Sequence, residues 1–286
     1  MYNYSFIIPH KNCPGLLKRC VDSIPVRDDV QIIVVDDNSD ELKKPALPVR
    51  KGLEVVLLNA SQSKGAGRAR NVGMGKAEGK WLLFPDSDDY YVNGILDTLD
   101  GYKDSSVDVV YFNFEYRDGK TEEVLEPWPF RKDFDNYDGS QFAKESIRFH
   151  HNVPWTKMVR KQFADRNSLS FEEVPNGNDM FFSMMCGYYA NNIEVERMPL
   201  YVYLRNGSSI TTKVITSNDA LYILEHLIKQ NSFYNFIKHP EWKNATLKMT
   251  LYYIKQCGPG LVLLLFRKMP LLINHRNDWV KIVNKD

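Results

Sequence analysis

Three aspartates crowd into four positions directly after a run of apolar residues. In "FPDSDDYY" (84–91) they are Asp86, Asp88 and Asp89, and the run 81–84 precedes them. Carboxylates held this close repel one another unless positive charge lies among them. A divalent cation such as Mg²⁺ or Mn²⁺ prefers oxygen ligands, and with a nucleotide diphosphate it needs only one or two protein carboxylates. The alternative is a solvated turn that caps the next helix, which explains one aspartate but not three.

A second acidic pair follows another apolar run. "QIIVVDD" (31–37) ends in Asp36 and Asp37, and the polar residues Asn38, Ser39 and Asp40 come next. Asx side chains often bond neighbouring backbone amides, so turn chemistry is one interpretation. A carboxylate at the end of a strand can alternatively accept the imide N–H of a uracil or hydrogen-bond a ribose.

The glycine-rich stretch "SKGAGRARN" (63–71) is neither a Walker A motif nor a dinucleotide fingerprint. Its small residues favour a closely packed helix. Its cations are Lys64, Arg68 and Arg70, and we expect roughly one of them to point at a phosphate or a base edge.

A further aspartate stands at a predicted helix start. In "VPNGNDMFFSMM" (174–185), Asn178 and Asp179 precede an apolar helix, so capping is the immediate interpretation. The functional alternative makes Asp179 a general base. The helix dipole would stabilise its anion and lower its pKa, which makes it a weak base toward a ground-state alcohol. Such a base suffices if the hydroxyl becomes acidic only as it attacks.

The elements that must position these residues alternate between strand and helix. Strand-like runs lie at 4–9, 31–37, 53–59, 80–85 and 108–116, and helix-like runs lie at 15–24, 65–79 and 93–103. Continuous apolar strands alternating with helices predict an α/β fold whose parallel sheet is covered on both faces, which makes 53–59 a third buried strand. Ligands bind beyond the carboxyl ends of such strands, where the acids lie. From Ser217 onward the chain looks helical, so we predict a catalytic domain at 1–212 and a helical extension at 213–286.

The bulk composition excludes several classes of protein. With 37 basic and 36 acidic residues, the net charge of +1 provides no global field for nucleic acid. The 4 cysteines are scattered, which favours free thiols in a reducing compartment over zinc or disulfides. We find no signal peptide and no window approaching the roughly 20 apolar residues that span a bilayer, and therefore expect a cytoplasmic protein.

The segment 258–274, "GPGLVLLLFRKMPLLIN", is apolar with a basic break at Arg267 and Lys268. A helix packed on the main domain is one interpretation. Docking on the inner face of a membrane is the alternative.

Each of these motifs alone is ambiguous, but their order along the chain is specific. "FIIPHKN", "IIVVDDNSD", "GAGRARNVGMGKAEGKWLLFPDSDD", "VPWTKMVRK" and "NGNDMFF" together closely resemble the family 2 glycosyltransferases of the GT-A fold. The resemblance covers about residues 3–210, and the run from 65 to 89 is its most specific part. It implies a mostly parallel sheet flanked by helices and an inverting transfer of a sugar from a nucleotide-sugar, usually UDP-linked. The implied acceptor is a glycan or a lipid-linked glycan of a surface polysaccharide.

The resemblance also implies roles for single residues. Asp86, Asp88 and Asp89 would hold Mn²⁺ or Mg²⁺. The family's Glu-Asp pair reads Asn178-Asp179 here, so the base Asp179 is kept and its acidic neighbour is lost. The donor nucleotide would contact Pro9, Asp36, Asp37, Lys64, Arg68, Arg70, Asp86 and Ser87. The acceptor side would include Trp155, Lys157 and Asn178, and the diphosphate would meet Arg205 and Ser208.

Two rival functions stay open at this point. A nucleotidyltransferase would carry a glycine-rich loop with a basic residue directly after the first strand, and "PHKNCPG" (9–15) matches that poorly. A catalytically silent nucleotide-sugar binding module would need Asp37 and Asp88 but not Asp179.

Overall fold

The computed structural model describes residues 1–126, 131–174, 177–206 and 215–274. Two compact units make up the chain, Met1–Ser209 and Ile210–Asp286. The predicted boundary between 212 and 213 falls outside the described residues.

Eight strands of the described chain form one sheet in the order β3-β2-β1-β4-β7-β6-β8-β5. In chain order they are β1 (Tyr4–His10), β2 (Val30–Asp36), β3 (Leu53–Leu57), β4 (Trp81–Leu83), β5 (Tyr90–Tyr91), β6 (Val109–Asp118), β7 (Lys157–Arg160) and β8 (Ile193–Arg205). All run in one direction except β7 and β5. The mostly parallel α/β sheet predicted from the sequence is confirmed, and β7 adds an antiparallel strand at its centre.

Helices cover the sheet of the first unit. They are α1 (Pro14–Ser23), α2 (Ala66–Lys76), α3 (Ile95–Leu99), α4 (Arg131–Asp135), α5 (Gln141–His150), α6 (Lys161–Arg166) and α7 (Met180–Tyr189), with a short 3-10 helix at Glu41–Lys43. The small residues of α2 allow it to lie close against its neighbours. A Cβ added at Gly73 would lie 2.4 Å from Ile7 Cγ2 of β1, which is closer than side chains can approach.

The strands differ in burial according to their place in the sheet. Every residue of β1 and β2 is buried, because each strand has neighbours on both sides and helices on the faces. The prediction that β3 is buried is wrong. This strand lies at the sheet edge, and its Val55 and Leu57 are 39% and 54% exposed.

The second unit is helical, with α8 (Ser217–Phe236), α9 (Thr246–Cys257), α10 (Pro259–Asn274) and a 3-10 helix at Pro240–Trp242. A capping box between Thr216 and Asp219 begins α8. The buried residues of its core come from all three helices and are Ala220, Leu221, Leu224, Tyr253 and Leu261. Across the described ranges, no helix combines the length and the apolar character that crossing a membrane requires.

Candidate active site

The acidic loop lies at the carboxyl end of β4. Asp86 keeps 31% of its side chain exposed and pairs with the guanidinium of Arg70. Its backbone N–H donates to Tyr201 Oη at 3.0 Å. Asp88 is partly exposed, and its carboxylate accepts a bond of 3.5 Å from Asn206 Nδ2. Two carboxylates separated by one residue are therefore accessible at this strand end.

Asp89 is turned away from that pair and into the sheet. The residue is 1% exposed. Its Oδ2 accepts a bond of 2.9 Å from Tyr201 Oη, and its Oδ1 accepts one of 2.8 Å from the backbone N–H of Leu204. Asp89, expected to join Asp86 and Asp88 on a metal, therefore faces β8, which bonds both of its oxygens, and not the accessible pair.

The surroundings of Asp88 and Asp89 raise the pKa of both carboxyl groups. Burial raises the pKa of Asp88, and the charge of Asp86 adds to the shift. Burial raises the pKa of Asp89 well above its usual value, with further contributions from Asp88 and Asp86. Added positive charge beside Asp88 would therefore favour its ionised form.

Arg70 of α2 connects the acidic loop to the start of α7. Its side chain is only 5% exposed, and its guanidinium lies over the ring of Phe171 at 5.2 Å. Nη2 donates to Asp86 Oδ1, and Nη1 donates to Asn178 Oδ1 at 2.8 Å. Because Asn178 directly precedes Asp179, a single buried guanidinium spans the acidic loop and the residue expected to act as base.

The other two cations of this stretch point elsewhere. Lys64 Nζ lies 3.0 Å from one oxygen of Glu173, and Arg68 Nη1 lies 3.2 Å from the other. The side chains of both cations are exposed. Of the three predicted phosphate or base ligands, Arg70 is the one that contacts the acidic loop.

Asp179 occupies the N-cap position of α7, with φ −96° and ψ −22°, and makes no side-chain capping bond to that helix. The residue is half-buried, and Asn178 before it is 8% exposed. A carboxylate at a helix N-terminus is stabilised as the anion. The fold thus places Asp179 at the start of α7 with a side chain that does not cap that helix.

The acid at the end of β2 binds the last residue of β1 and the turn that follows β2. Asp36 is 1% exposed, and its Oδ1 lies 2.7 Å from His10 Nδ1 and 2.5 Å from Ser39 Oγ. His10 Nε2 accepts the backbone N–H of Cys13 at 3.2 Å, so Nδ1 carries the ring proton that is donated to Asp36. Burial by itself would raise the pKa of Asp36, but the hydrogen bonds from Ser39 and His10 outweigh it and hold the pKa low.

Asp37 binds the start of α2 in the same manner. It is 3% exposed, and it accepts the backbone N–H of Lys64 at 3.2 Å and that of Gly65 at 3.1 Å. Gly65 has φ +87°, a conformation that favours glycine. Asp36 and Asp37, predicted to hold the nucleotide, both have their oxygens on protein partners.

Two further residues of the predicted nucleotide site are buried. Pro9 lies within β1 and pairs in register with Val35 of β2. Ser87 of the acidic loop is 9% exposed, and its Oγ lies 3.3 Å from Cys13 Sγ. Through that contact the loop after β1 supports the acidic loop.

Trp155 and Lys157, predicted to line the acceptor side, lie in the interior. Trp155 is 7% exposed and stacks on Tyr201 and Tyr203, with ring centroids 5.0 and 5.3 Å away. Lys157 is fully buried, and its Nζ donates to the carbonyl oxygen of His151 at 2.7 Å. Burial lowers its pKa to about 7. The expectation that Lys157 faces an acceptor is therefore corrected, since its ammonium holds the turn before β7.

The end of β8 completes the site. Arg205 is exposed and lies 3.3 Å from Asp118, while Ser208 falls outside the described residues. Two contacts with the acidic loop were not predicted. They are the bond from Asn206 to the Asp88 carboxylate and a bond of 3.2 Å from Arg19 Nη2 to the Asp88 carbonyl. Asn206 directly follows Arg205, which was predicted for the diphosphate, whereas nothing in the sequence around Arg19 marks it.

The donor set fits a hard cation that arrives with a diphosphate. Within 1–126, 131–174, 177–206 and 215–274, no group of three or more His, Cys, Asp or Glu side chains could hold a metal unaided. Asp86 and Asp88 supply two carboxylates. Magnesium-type ions that carry nucleotides need one or two carboxylates, and phosphate oxygens and water complete the shell.

Comparison with known proteins identifies the fold and the family. The family model described as "Glycosyl transferase family 2" matches residues 5–166, which include β1, β2, α2 and the acidic loop. The chain belongs to glycosyl transferase family 2.

Relatives of this family 2 chain come from several bacteria. EpsH of Bacillus subtilis (strain 168) is 25% identical over 234 residues, covering 76% of this chain and 66% of EpsH. The poly(ribitol-phosphate) beta-N-acetylglucosaminyltransferase TarS of Staphylococcus aureus (strain Mu50) is 26% identical over 231 residues. That match covers 77% of this chain and only 39% of TarS, so the chain spans less than two thirds of both relatives.

Solved structures of TarS from S. aureus share the fold. TarS 1–349 in complex with UDP-GlcNAc superposes with a TM-score of 0.63 at 20% identity, over 98% of this chain and 81% of that one. Its complex with UDP gives a TM-score of 0.60. The GT-A fold predicted from the motifs is confirmed.

Proposed function

We propose that this family 2 member is an inverting glycosyltransferase that moves a sugar from a nucleotide-sugar, specifically a UDP-sugar, to a glycan or lipid-linked acceptor of a surface polysaccharide. The observation that carries the proposal is the bridge through Arg70, which connects Asp86 of the acidic loop to Asn178 beside Asp179. Relatives named for transfer to poly(ribitol-phosphate) and to an undecaprenol-linked glycan support the class of acceptor.

On the donor side, Asp86 and Asp88 would hold Mn²⁺ or Mg²⁺. When bound, this cation supplies positive charge where the departing diphosphate becomes more negative. The Arg70 guanidinium pairs with the Asp86 carboxylate and holds it in position. Arg205, exposed at the end of β8, is a further cation for the diphosphate.

On the acceptor side, Asp179 accepts the proton of the attacking hydroxyl. The hydroxyl oxygen forms a bond to the anomeric carbon as the bond from that carbon to the diphosphate oxygen breaks, and the electron pair leaves with the diphosphate. A single displacement of this kind inverts the anomeric carbon. An N-cap position favours the ionised form of a carboxylate, which is the form that can accept the proton.

The proposal retains the division into a catalytic part, 1–212, and a helical extension, 213–286. It also places the enzyme in the cytoplasm, where segment 258–274 contacts the membrane that carries the acceptor.

The test measures UDP binding by calorimetry with Mn²⁺ and with EDTA, and turnover with a panel of nucleotide-sugars. We expect tighter binding with Mn²⁺, and Asp86→Asn should remove that difference. Asp179→Asn should abolish transfer, by about 10²-fold or more, while UDP still binds. Equal affinity for UDP in Mn²⁺ and EDTA would refute the metal role, and retained turnover of Asp179→Asn would remove it as the base.

The turnover measurement separates the first rival function, and a second assay with a nucleoside triphosphate and a sugar phosphate separates the other. A silent binding module would bind UDP-sugars without turnover in the unmodified chain. A nucleotidyltransferase would release pyrophosphate from a nucleoside triphosphate and a sugar phosphate.

A further inference from the structure

Helix α9 exposes a stripe of apolar and basic side chains. Leu247, Leu251 and Tyr252 are 74%, 59% and 51% exposed, and Lys248 and Lys255 are exposed beside them. These positions recur at the spacing of one helical face. The opposite face packs into the core of the second unit through Tyr253, which is 6% exposed. The outer apolar residues are therefore additional to those that hold the unit together.

Helix α10 repeats the arrangement. Leu263 and Phe266 are 55% and 69% exposed, and Arg267 and Lys268 follow them on the surface. Leu261, fully buried, faces the core. Two successive helices thus each have an inner face that packs and an outer face with exposed apolar residues and at least one cation, which on α10 is Arg267.

The charge of this region differs from that of the whole chain. Between Trp242 and Asn274 there are five basic residues and no Asp or Glu, although the chain as a whole carries a net charge of +1. Single exposed apolar residues are ordinary on soluble proteins, but apolar stripes flanked by cations mark contact surfaces.

We propose that the outer faces of α9 and α10, defined by the residues named above, bind the surface of an anionic lipid bilayer. Apolar side chains that enter the boundary between headgroups and acyl chains, with cations at the headgroup level, are the requirements of an interfacial helix. A second copy of the chain fits less well, because a symmetric contact would bring these cations together with no acid on either face. The inference extends the contact of 258–274 to α9 and does not depend on the transfer reaction.

The test uses the full chain and vesicles of either phosphatidylcholine alone or equal parts phosphatidylcholine and phosphatidylglycerol. In co-sedimentation at low salt, we expect binding to the anionic vesicles at least about tenfold tighter than to the neutral ones. Leu251→Glu and Phe266→Glu should each weaken that binding by about tenfold. The matched control is Leu42→Glu, which introduces the same charge at a residue 98% exposed in the first unit and should leave binding unchanged.

A second set of variants covers the case in which an introduced glutamate disturbs folding. Lys248→Ala and Lys255→Ala remove surface charges only, and each should weaken binding about fivefold. Affinity for UDP, measured on every variant, should stay at the level of the unmodified chain, which separates this inference from the proposed function. Equal binding to neutral and anionic vesicles, or an equal loss with Leu42→Glu, would overturn the proposal. Self-association that Leu251→Glu abolishes, without vesicle binding, would assign the face to a second copy instead.

Discussion

Arg70→Met tests the connection between the acidic loop and α7. Methionine keeps an unbranched stem against Phe171, so the substitution removes the guanidinium hydrogen bonds and little packing. A hydrogen bond to a charged group contributes about 1.5–3 kcal/mol. The bond to Asn178 is buried, whereas Asp86 is 31% exposed and water can replace its lost partner. The exposure of Asp86 argues for the low end of the range there, and the same value for the bond to Asn178 gives an expected minimum loss of about 3 kcal/mol in the free energy of unfolding.

Thermal unfolding followed by circular dichroism measures the effect. For a unit of this size, about 3 kcal/mol corresponds to a fall of roughly 6–12 °C in Tm. Arg68→Met is the matched control, because Arg68 stands two residues earlier on α2 and has a 38% exposed side chain that pairs with Glu173 at 3.2 Å. Such a surface pair should contribute at most about 0.5 kcal/mol.

A double-mutant cycle then isolates the hydrogen bond between Arg70 and Asn178. Asn178→Ala combined with Arg70→Met should destabilise less than the sum of the single variants, by about 1 kcal/mol. If Arg70→Met lowers Tm no more than Arg68→Met, or if the cycle is additive, Arg70 does not couple the acidic loop to α7 and the argument from this bridge fails.

The remaining predictions concern single carboxylates and one buried lysine. Asp88→Asn should remove the Mn²⁺ dependence of UDP binding, whereas Asp89→Asn should retain it and destabilise the fold by about 1 kcal/mol; calorimetry that shows the reverse would restore Asp89 to the metal site. Asn178→Ala should lower kcat, because Asp179 is misplaced, and should leave the affinity for UDP unchanged. Steady-state kinetics measures the first effect and a UDP titration the second, and an unchanged kcat or a weakened affinity would contradict the prediction. The pKa of Lys157 is about 7 in the folded chain and higher when unfolded, so above pH 7 the unfolded state binds more protons. From about pH 7 to about pH 9 the free energy of unfolding should therefore rise by roughly 2 kcal/mol more than in Lys157→Met. Urea titrations of both proteins at each pH measure this difference, and an equal rise in the two would contradict the lowered pKa.

The regular elements around the site were predictable because they depend on short-range pattern. β1, β2 and β4 are continuous apolar runs, as strands covered on both faces must be. The acidic residues lie at the ends of β2 and β4. Because parallel strands end at one edge of a sheet, it was also predictable that these acids lie near one another. The short strands β5 and β7, of two and four residues, carry too little pattern to be recognised, and β7 reverses direction within the sheet.

The amino-acid sequence by itself determined the charge of the acidic triplet, the fold class and the edge of the sheet where ligands bind. Only the tertiary structure decided which side chains reach that edge. Tyr201 and Leu204, 112 and 115 residues from Asp89, draw its carboxylate into the sheet, and Asn178 meets Arg70 across 108 residues. Lys157 is buried because other elements pack over its strand, although the resemblance implied that it lines the acceptor side with Trp155. The physical reason is that desolvation and hydrogen bonding depend on which distant segments cover a residue, whereas spacing along the chain records only its near neighbours.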